Sequence, residues 1–243
     1  LYRHGHSPVH RLPAHVKVVA LLAFVVIVVA TPREAFWAFG VYAALLAIVA
    51  VVARVPGRFI LTRMVVEIPF VVFALLLPFL AAGERVDVLG VSVSLEGLLA
   101  GWNILAKGTL GVVASILLAA TTDARALLLA LQKLRVPSVL VEITSFMVRY
   151  ADVITAEMRR MKIARESRAF RGNSLKVVAT SAGALFIRSY ERGERVHLAM
   201  LSRGYSGQLP VLEVQQAPPA QWAAAGLLPL TALAVSITAW MTL

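Results

Sequence analysis

The sequence predicts an all-α, polytopic membrane protein with about five transmembrane helices. Between the fourth and fifth it predicts a cytoplasmic platform of amphipathic helices. Three observations carry this. Apolar residues fill 59% of the 243 positions and mean hydropathy is +0.80, where ordinary soluble chains are roughly 45–50% apolar. Five apolar runs alternate with loops that hold most of the charge. From Thr121 to about Pro210 the pattern changes, with charges every few residues and no apolar run long enough to cross a bilayer. The net charge of +11 does not point to nucleic acid, because the basic residues fall in the gaps between apolar runs, where cytoplasmic loops collect Lys and Arg. Cysteine is absent, which excludes disulfides and thiolate chemistry.

Residues 1–17 form a polar, basic arm that carries His4, His6, His10 and His15. No carboxylate or thiol stands beside these imidazoles to complete a closed metal site, so the arm reads as solvated and cytoplasmic. Residues 18–120 hold four spans, at 18–31, 35–53, 64–82 and 98–120. The first is short and extended by the stem of Lys17, and with no small-residue cleavage site after it, it reads as a retained span. Trp37 and Tyr42 suit the outer end of the second span. Arg54, Arg58 and Arg63 make the next loop cytoplasmic. The loop before the fourth span is acidic on balance, and its alternation of Val86, Val88, Val91 and Val93 fits a short hairpin. Residues 121–217 form the cytoplasmic amphipathic region, with Leu127, Leu131 and Leu134 on one helical face and Val139, Ile143, Met147 and Tyr150 on another. Pro137 interrupts between them, and Gly172-Asn173 and Gly204 are stop signals. Residues 218–243 carry the last span, from Trp222. Five crossings put the N-terminus inside.

Two ionisable residues fall within spans, Glu67 and Lys107. A relay between them would be attractive, but depth argues against it and favours snorkelling to opposite interfaces. With the third span entering at residue 64 and the fourth at 98 from the other side, they are expected on the order of 15–20 Å apart along the membrane normal. Pro69 and Pro78 are expected to bend the third span.

No nucleotide-binding P-loop, zinc-protease motif or nucleophile elbow occurs. The sequence therefore predicts no catalytic residues, no metal site and no cofactor. What it does offer is two short blocks, Ser167-Arg168-Ala169 and Ser202-Arg203-Gly204, each closing a run with charge on one side and apolar residues on the other. Small residues around an arginine let a helix end enter a groove, where the guanidinium fork suits carboxylates and carbonyls. Gly204 also permits a left-handed cap that aims Arg203 past the helix end. Two such tips imply two equivalent receptors. The competing reading is pairing with lipid headgroups.

The arm Ser7-Pro-Val-His-Arg-Leu-Pro13, the run from Leu127 to Pro137, Met147-Val-Arg-Tyr150, Ala164-Arg-Glu-Ser-Arg168 and Ala199-Met-Leu-Ser-Arg-Gly-Tyr205 carry a resemblance. The chain resembles the transmembrane T component of energy-coupling factor (ECF) importers, the EcfT/CbiQ family, and is most similar to the cobalt/nickel branch. The resemblance implies a cell-membrane coupling subunit that is not itself an enzyme. Arg168 and Arg203, with Ser167, Ala169, Ser202 and Gly204, would dock on a pair of ABC ATPases. Leu131, Val139, Met147 and Phe186 would grip a substrate-binding membrane S component. Ala169 departs from the glycine usual in the first motif. A secondary transporter would need a midplane polar site in two repeated halves, and neither is found. A membrane scaffold with basic interfacial helices is the remaining reading.

Overall fold

The computed structural model describes residues 5, 7–81, 85–88, 91–168, 175–207 and 217–242. Over these the chain is helical except for one hairpin. The order is α1 (Pro8–Arg11), α2 (Ala14–Ala30), α3 (Phe36–Val52), α4 (Gly57–Leu61), a 3-10 turn (Met64–Glu67) and α5 (Ile68–Leu80). Strands β1 (Arg85–Val88) and β2 (Val91–Ser94) follow, antiparallel, at the alternating segment. Then come α6 (Leu95–Thr121), α7 (Ala124–Lys133), α8 (Ser138–Ser167), α9 (Leu175–Leu201) and α10 (Pro219–Met241). The chain divides into two compact units, residues 1–130 with 215–243, and residues 131–214.

The first unit is a bundle of apolar helices. Gly57–Leu80, α6 and α10 are long and apolar enough to cross a membrane, and α2 and α3 are apolar helices of 17 residues each, about 25 Å long at 1.5 Å per residue. Together they make the protein a multi-pass, helical membrane protein. Its core is built from Phe24 and Val28 of α2, Phe39, Tyr42 and Leu46 of α3, Leu110, Ala114 and Leu117 of α6, and Ala232 and Ala239 of α10. The opposite stripe of α2, Leu22, Val26 and Val29, is exposed in the isolated chain, as lipid-facing residues are.

Two expectations need correction. The third span is not one helix from residue 64. The apolar segment starts at Gly57 and breaks into α4, the 3-10 turn and α5, because Pro69 in the first turn of α5 has no N–H with which to continue an α-helix from Val65. The earlier start also overturns the expected depth difference between Glu67 and Lys107. Buried Glu67 accepts a hydrogen bond from the Thr109 hydroxyl, and its Oε1 lies against Gly108, so the two ionisable residues sit at similar heights. They do not pair among the described residues. Lys107 turns to α2 and donates to the Val29 carbonyl at 2.7 Å.

That contact is part of a complete arrangement at the end of α2, where four carbonyls lack intrahelical donors. Thr31 serves Ile27 and Val28, Lys107 serves Val29, and the Trp240 indole donates to Ala30 at 3.2 Å. Lys17, at the start of the same helix, donates to the Thr121 carbonyl at the end of α6 at 2.8 Å. Each lysine thus puts a cation at a neighbour's C-terminus, the favourable end of the helix dipole. Below Thr31 lies a buried polar cluster. Its hydroxyl is 2.9 Å from Tyr42 Oη and 3.2 Å from Ser236 Oγ, and Tyr42 donates to the Ala232 carbonyl. It ties α2, α3 and α10 together.

Helices α5 and α6 approach through glycine. A Cβ on Gly101 would lie 2.7 Å from the Ala74 carbonyl oxygen, and one on Gly97 2.6 Å from that of Leu77. Small residues four apart allow such backbone contact between helices in lipid.

Candidate functional site: two arginine-bearing helix ends

The second unit is built on α8 and α9, both amphipathic and both rich in residues that break the apolar pattern of a span. Three side-chain contacts fix how they run. Arg165 Nη1 donates to Ser181 Oγ at 3.2 Å, Arg188 Nη1 to Glu157 Oε1 at 2.7 Å, and Tyr205 Oη to Glu142 Oε2 at 2.7 Å. Partners descend α8 as they climb α9, so the helices form an antiparallel pair in one register. The pair hides little apolar surface of its own. Val141 is the one fully buried residue of α8 among those described, and α9 has none. Large exposed apolar areas of this kind mark surfaces that meet lipid or another protein.

Glu157 sits at the centre of the pair. It accepts from Arg160 Nη2 within its own helix and from Arg188 across it, both at 2.7 Å. These bonds, Arg160 first, hold its carboxyl below the usual glutamate range. At the far end, the Glu142 carboxylate accepts the Tyr205 proton and pushes the phenol above its usual value.

The predicted motif residues fall at opposite ends of this pair. Arg168 follows the last turn of α8, with φ −88° and ψ 21°, its N–H donating to the Arg165 carbonyl and Ser167 Oγ turned back to Ala164. Ala169, together with the stop at Gly172-Asn173, lies outside the described residues. Arg203 closes α9. Here Gly204 takes the left-handed conformation at φ +83°, its N–H donates to the Leu201 carbonyl, and the Tyr205 N–H reaches back to Met200, both at 3.0 Å. That is the double-bonded glycine cap, with Arg203 as the last residue before the reversal. Ser202 Oγ turns back to Ala199. By the register, Arg203 lies opposite a point near Ile143, so the two arginines are separated by about 25 residues of α8, roughly 37 Å at 1.5 Å per residue. Both belong to one unit and both are exposed.

Of the four apolar platform residues, Val139 and Met147 share a stripe of α8 with Ile143, and all three are more than half exposed. Phe186 of α9 is 71% exposed, but the register sets it opposite the middle of α8, near Arg160, and not beside Met147. Leu131, at the end of α7, is half-buried. They do not converge on one point. Among the described residues there is no cluster of three His, Cys, Asp or Glu that could hold a metal ion.

Sequence reasoning missed Glu142, Glu157, Arg165, Ser181 and Arg188, and assigned no role to Tyr205. Their partners lie 16 to 63 residues apart, so no local spacing announces them. One signal was available. A stop between two long amphipathic runs predicts an antiparallel pair, and opposite charges then fall into register.

Comparison with known proteins agrees with the resemblance. A family described as Cobalt transport protein, CbiQ, matches residues 5–213. Two uncharacterized proteins of Methanocaldococcus jannaschii are 33% identical over 140 residues and 31% identical over 161, covering 55% and 61% of this chain and 52% and 55% of theirs. The chain therefore spans about half the length of these two relatives. A protein named Cobalt transport protein CbiQ, from Rhodobacter capsulatus, is 27% identical over 168 residues, 68% of this chain and 67% of its own. With the family match running from the N-terminal arm through both arginine blocks, the chain belongs to the CbiQ cobalt transport protein family.

Proposed function

We infer that this protein is the transmembrane coupling subunit of an ECF-type ABC importer, in the cell membrane with its N-terminus in the cytoplasm. It passes the motion of a pair of ABC ATPases to a substrate-binding membrane S component, for cobalt or nickel uptake. Arg168 and Arg203 are the docking tips, with Ser167, Ala169, Ser202 and Gly204 around them. The exposed apolar faces of α8 and α9, including Val139, Met147 and Phe186, with Leu131 before them, meet the S component. The chain itself performs no chemistry.

The observation that supports this most is the placement of the arginines. Two cations at opposite ends of one antiparallel pair, roughly 37 Å apart, suit two receptors side by side and cannot both enter one groove. When the receptors approach or separate, the ends of the pair must follow, and the apolar surface between them changes shape. Family membership supports a transport role, and the cobalt description belongs to the family.

Changing Arg168 and Arg203 together to Glu should abolish co-purification with the ATPase pair while the protein remains in the membrane. Recovery of the ATPases by the double variant would refute the docking assignment. Headgroup binding alone predicts a graded loss with any arginine removed, Arg159 and Arg160 included.

A further inference from the structure

We propose that Glu142 and Tyr205 form a latch that aims Arg203. They are positioning residues for the second docking end, acting through the backbone of Gly204. The inference rests on the docking role given above for its consequence in binding, but its structural content stands apart from that role.

The glycine cap settles the conformation of residues 200–205 locally. It does not hold that cap against α8, because a helix end with only backbone bonds to itself is free to fray. Tyr205 supplies the missing attachment. It is the residue after the left-handed glycine, its N–H is the donor that closes the cap on Met200, and its side chain donates to Glu142 at 2.7 Å. One residue therefore joins the cap to the opposite helix. Arg203, two positions earlier, donates its N–H to the Met200 carbonyl at 3.0 Å, and its side chain makes no hydrogen bond or ion pair among the described residues, so its direction is set by its backbone.

The bond is also suited to persist. A phenol donating to a carboxylate is a charge-assisted hydrogen bond, shorter and stronger than one between neutral groups. Glu142 lies in the second turn of α8, immediately beyond the Pro137 start, where the helix is fixed and its own terminus is near. Loss of the phenolic hydroxyl would free the α9 end to swing relative to α8 while leaving its cap intact.

The chain has no cysteine, so the test needs no background removal. Spin labels placed at Ile143→Cys and Ser206→Cys report the separation of the two helices at this end. In the otherwise unaltered protein the distance distribution should be narrow. Tyr205→Phe should broaden it, Glu142→Leu should broaden it at least as much, and the two together should broaden it no further than Glu142→Leu alone. Glu142→Gln keeps an acceptor oxygen and should restore the narrow distribution. A second label pair, at Ala164→Cys and Thr180→Cys, should be unmoved by all of these changes. Binding to the ATPase pair should weaken about three- to tenfold in the Phe and Leu variants and recover in the Gln variant. A distribution that stays narrow in Tyr205→Phe overturns the latch, as does additive broadening in the double variant. If the distribution broadens as expected but neither Tyr205→Phe nor Arg203→Glu alters ATPase binding, the latch holds and the docking reading fails.

Discussion

At the end of α9 the backbone reverses through Gly204, two carbonyls are bonded by that reversal, and Tyr205 ties the turn to α8. At the end of α8 the same Ser-Arg pair closes with a single tight turn, Arg168 keeping a negative φ and its amide bonding the Arg165 and Glu166 carbonyls. The Arg168 end is held by side chains further back, Arg165 on Ser181 and Lys162 near Glu166. Two arginines of equal chemistry are thus presented in different ways, one by a glycine cap tied to the neighbouring helix and one by the backbone closure of its own helix.

The largest effect should separate the ends directly. Arg203→Glu should weaken ATPase binding on the order of 100-fold and Arg168→Glu roughly tenfold, measured by surface-immobilised binding in detergent, because a preorganised contact loses more when its charge is reversed. Equal losses would mean the cap confers no advantage. Next, Gly204→Val forces a branched side chain into a left-handed backbone and should cost about 1–3 kcal/mol, read from thermal unfolding, with faster exchange at the amides of 200–205. Valine at a described residue near Arg168 meets no such backbone strain, since none of those residues has positive φ.

A smaller gain of about 0.5–1 kcal/mol is expected from Arg135→Gly. Arg135, at φ 60°, ends α7 with the same pair of bonds, to Gln132 and from Val136 to Leu131, but without glycine. It is the counterpart that shows what Gly204 spares α9. Arg54, at φ 54° and also followed by Val and Pro, repeats it after α3.

The smallest effect is in pH. Glu157 has a depressed folded value, so its ion pairs contribute fully above about 4.5 and fade as pH falls through the lower folded value. Tyr205 has a raised folded value, so its bond contributes fully below 10.0 and is lost as pH climbs past the higher one. Acid should loosen the centre of the pair and alkali the Arg203 end alone, with the label distances flat between about pH 6 and 9.

Much of this was legible in the residues. Apolar runs located the spans, and the alternating valines located the hairpin. The glycine after Arg203 announced its cap. The third span was misread because its start was put at the first unbroken apolar residue. Arg58 and Arg63 tolerate inclusion in an apolar helix by extending their stems, and α4 begins before them. A shift of seven residues moves Glu67 by about 10 Å, enough to overturn its expected distance from Lys107. Gly97 and Gly101 were readable as a close-packing pair and were passed over. The contacts between α8 and α9 were not readable, because charged residues on an amphipathic helix have many candidate partners until a register selects one.

The carbonyls at the end of α2 have a consequence for biogenesis. Alone in lipid, that helix would expose polar groups with no water to satisfy them. Val29 receives its donor from α6, and Ala30 receives its donor from Trp240 near the end of α10. The end of α2 is therefore completed by a side chain 210 residues later in the chain. Until α10 has inserted, the Ala30 carbonyl lacks the donor that Trp240 supplies.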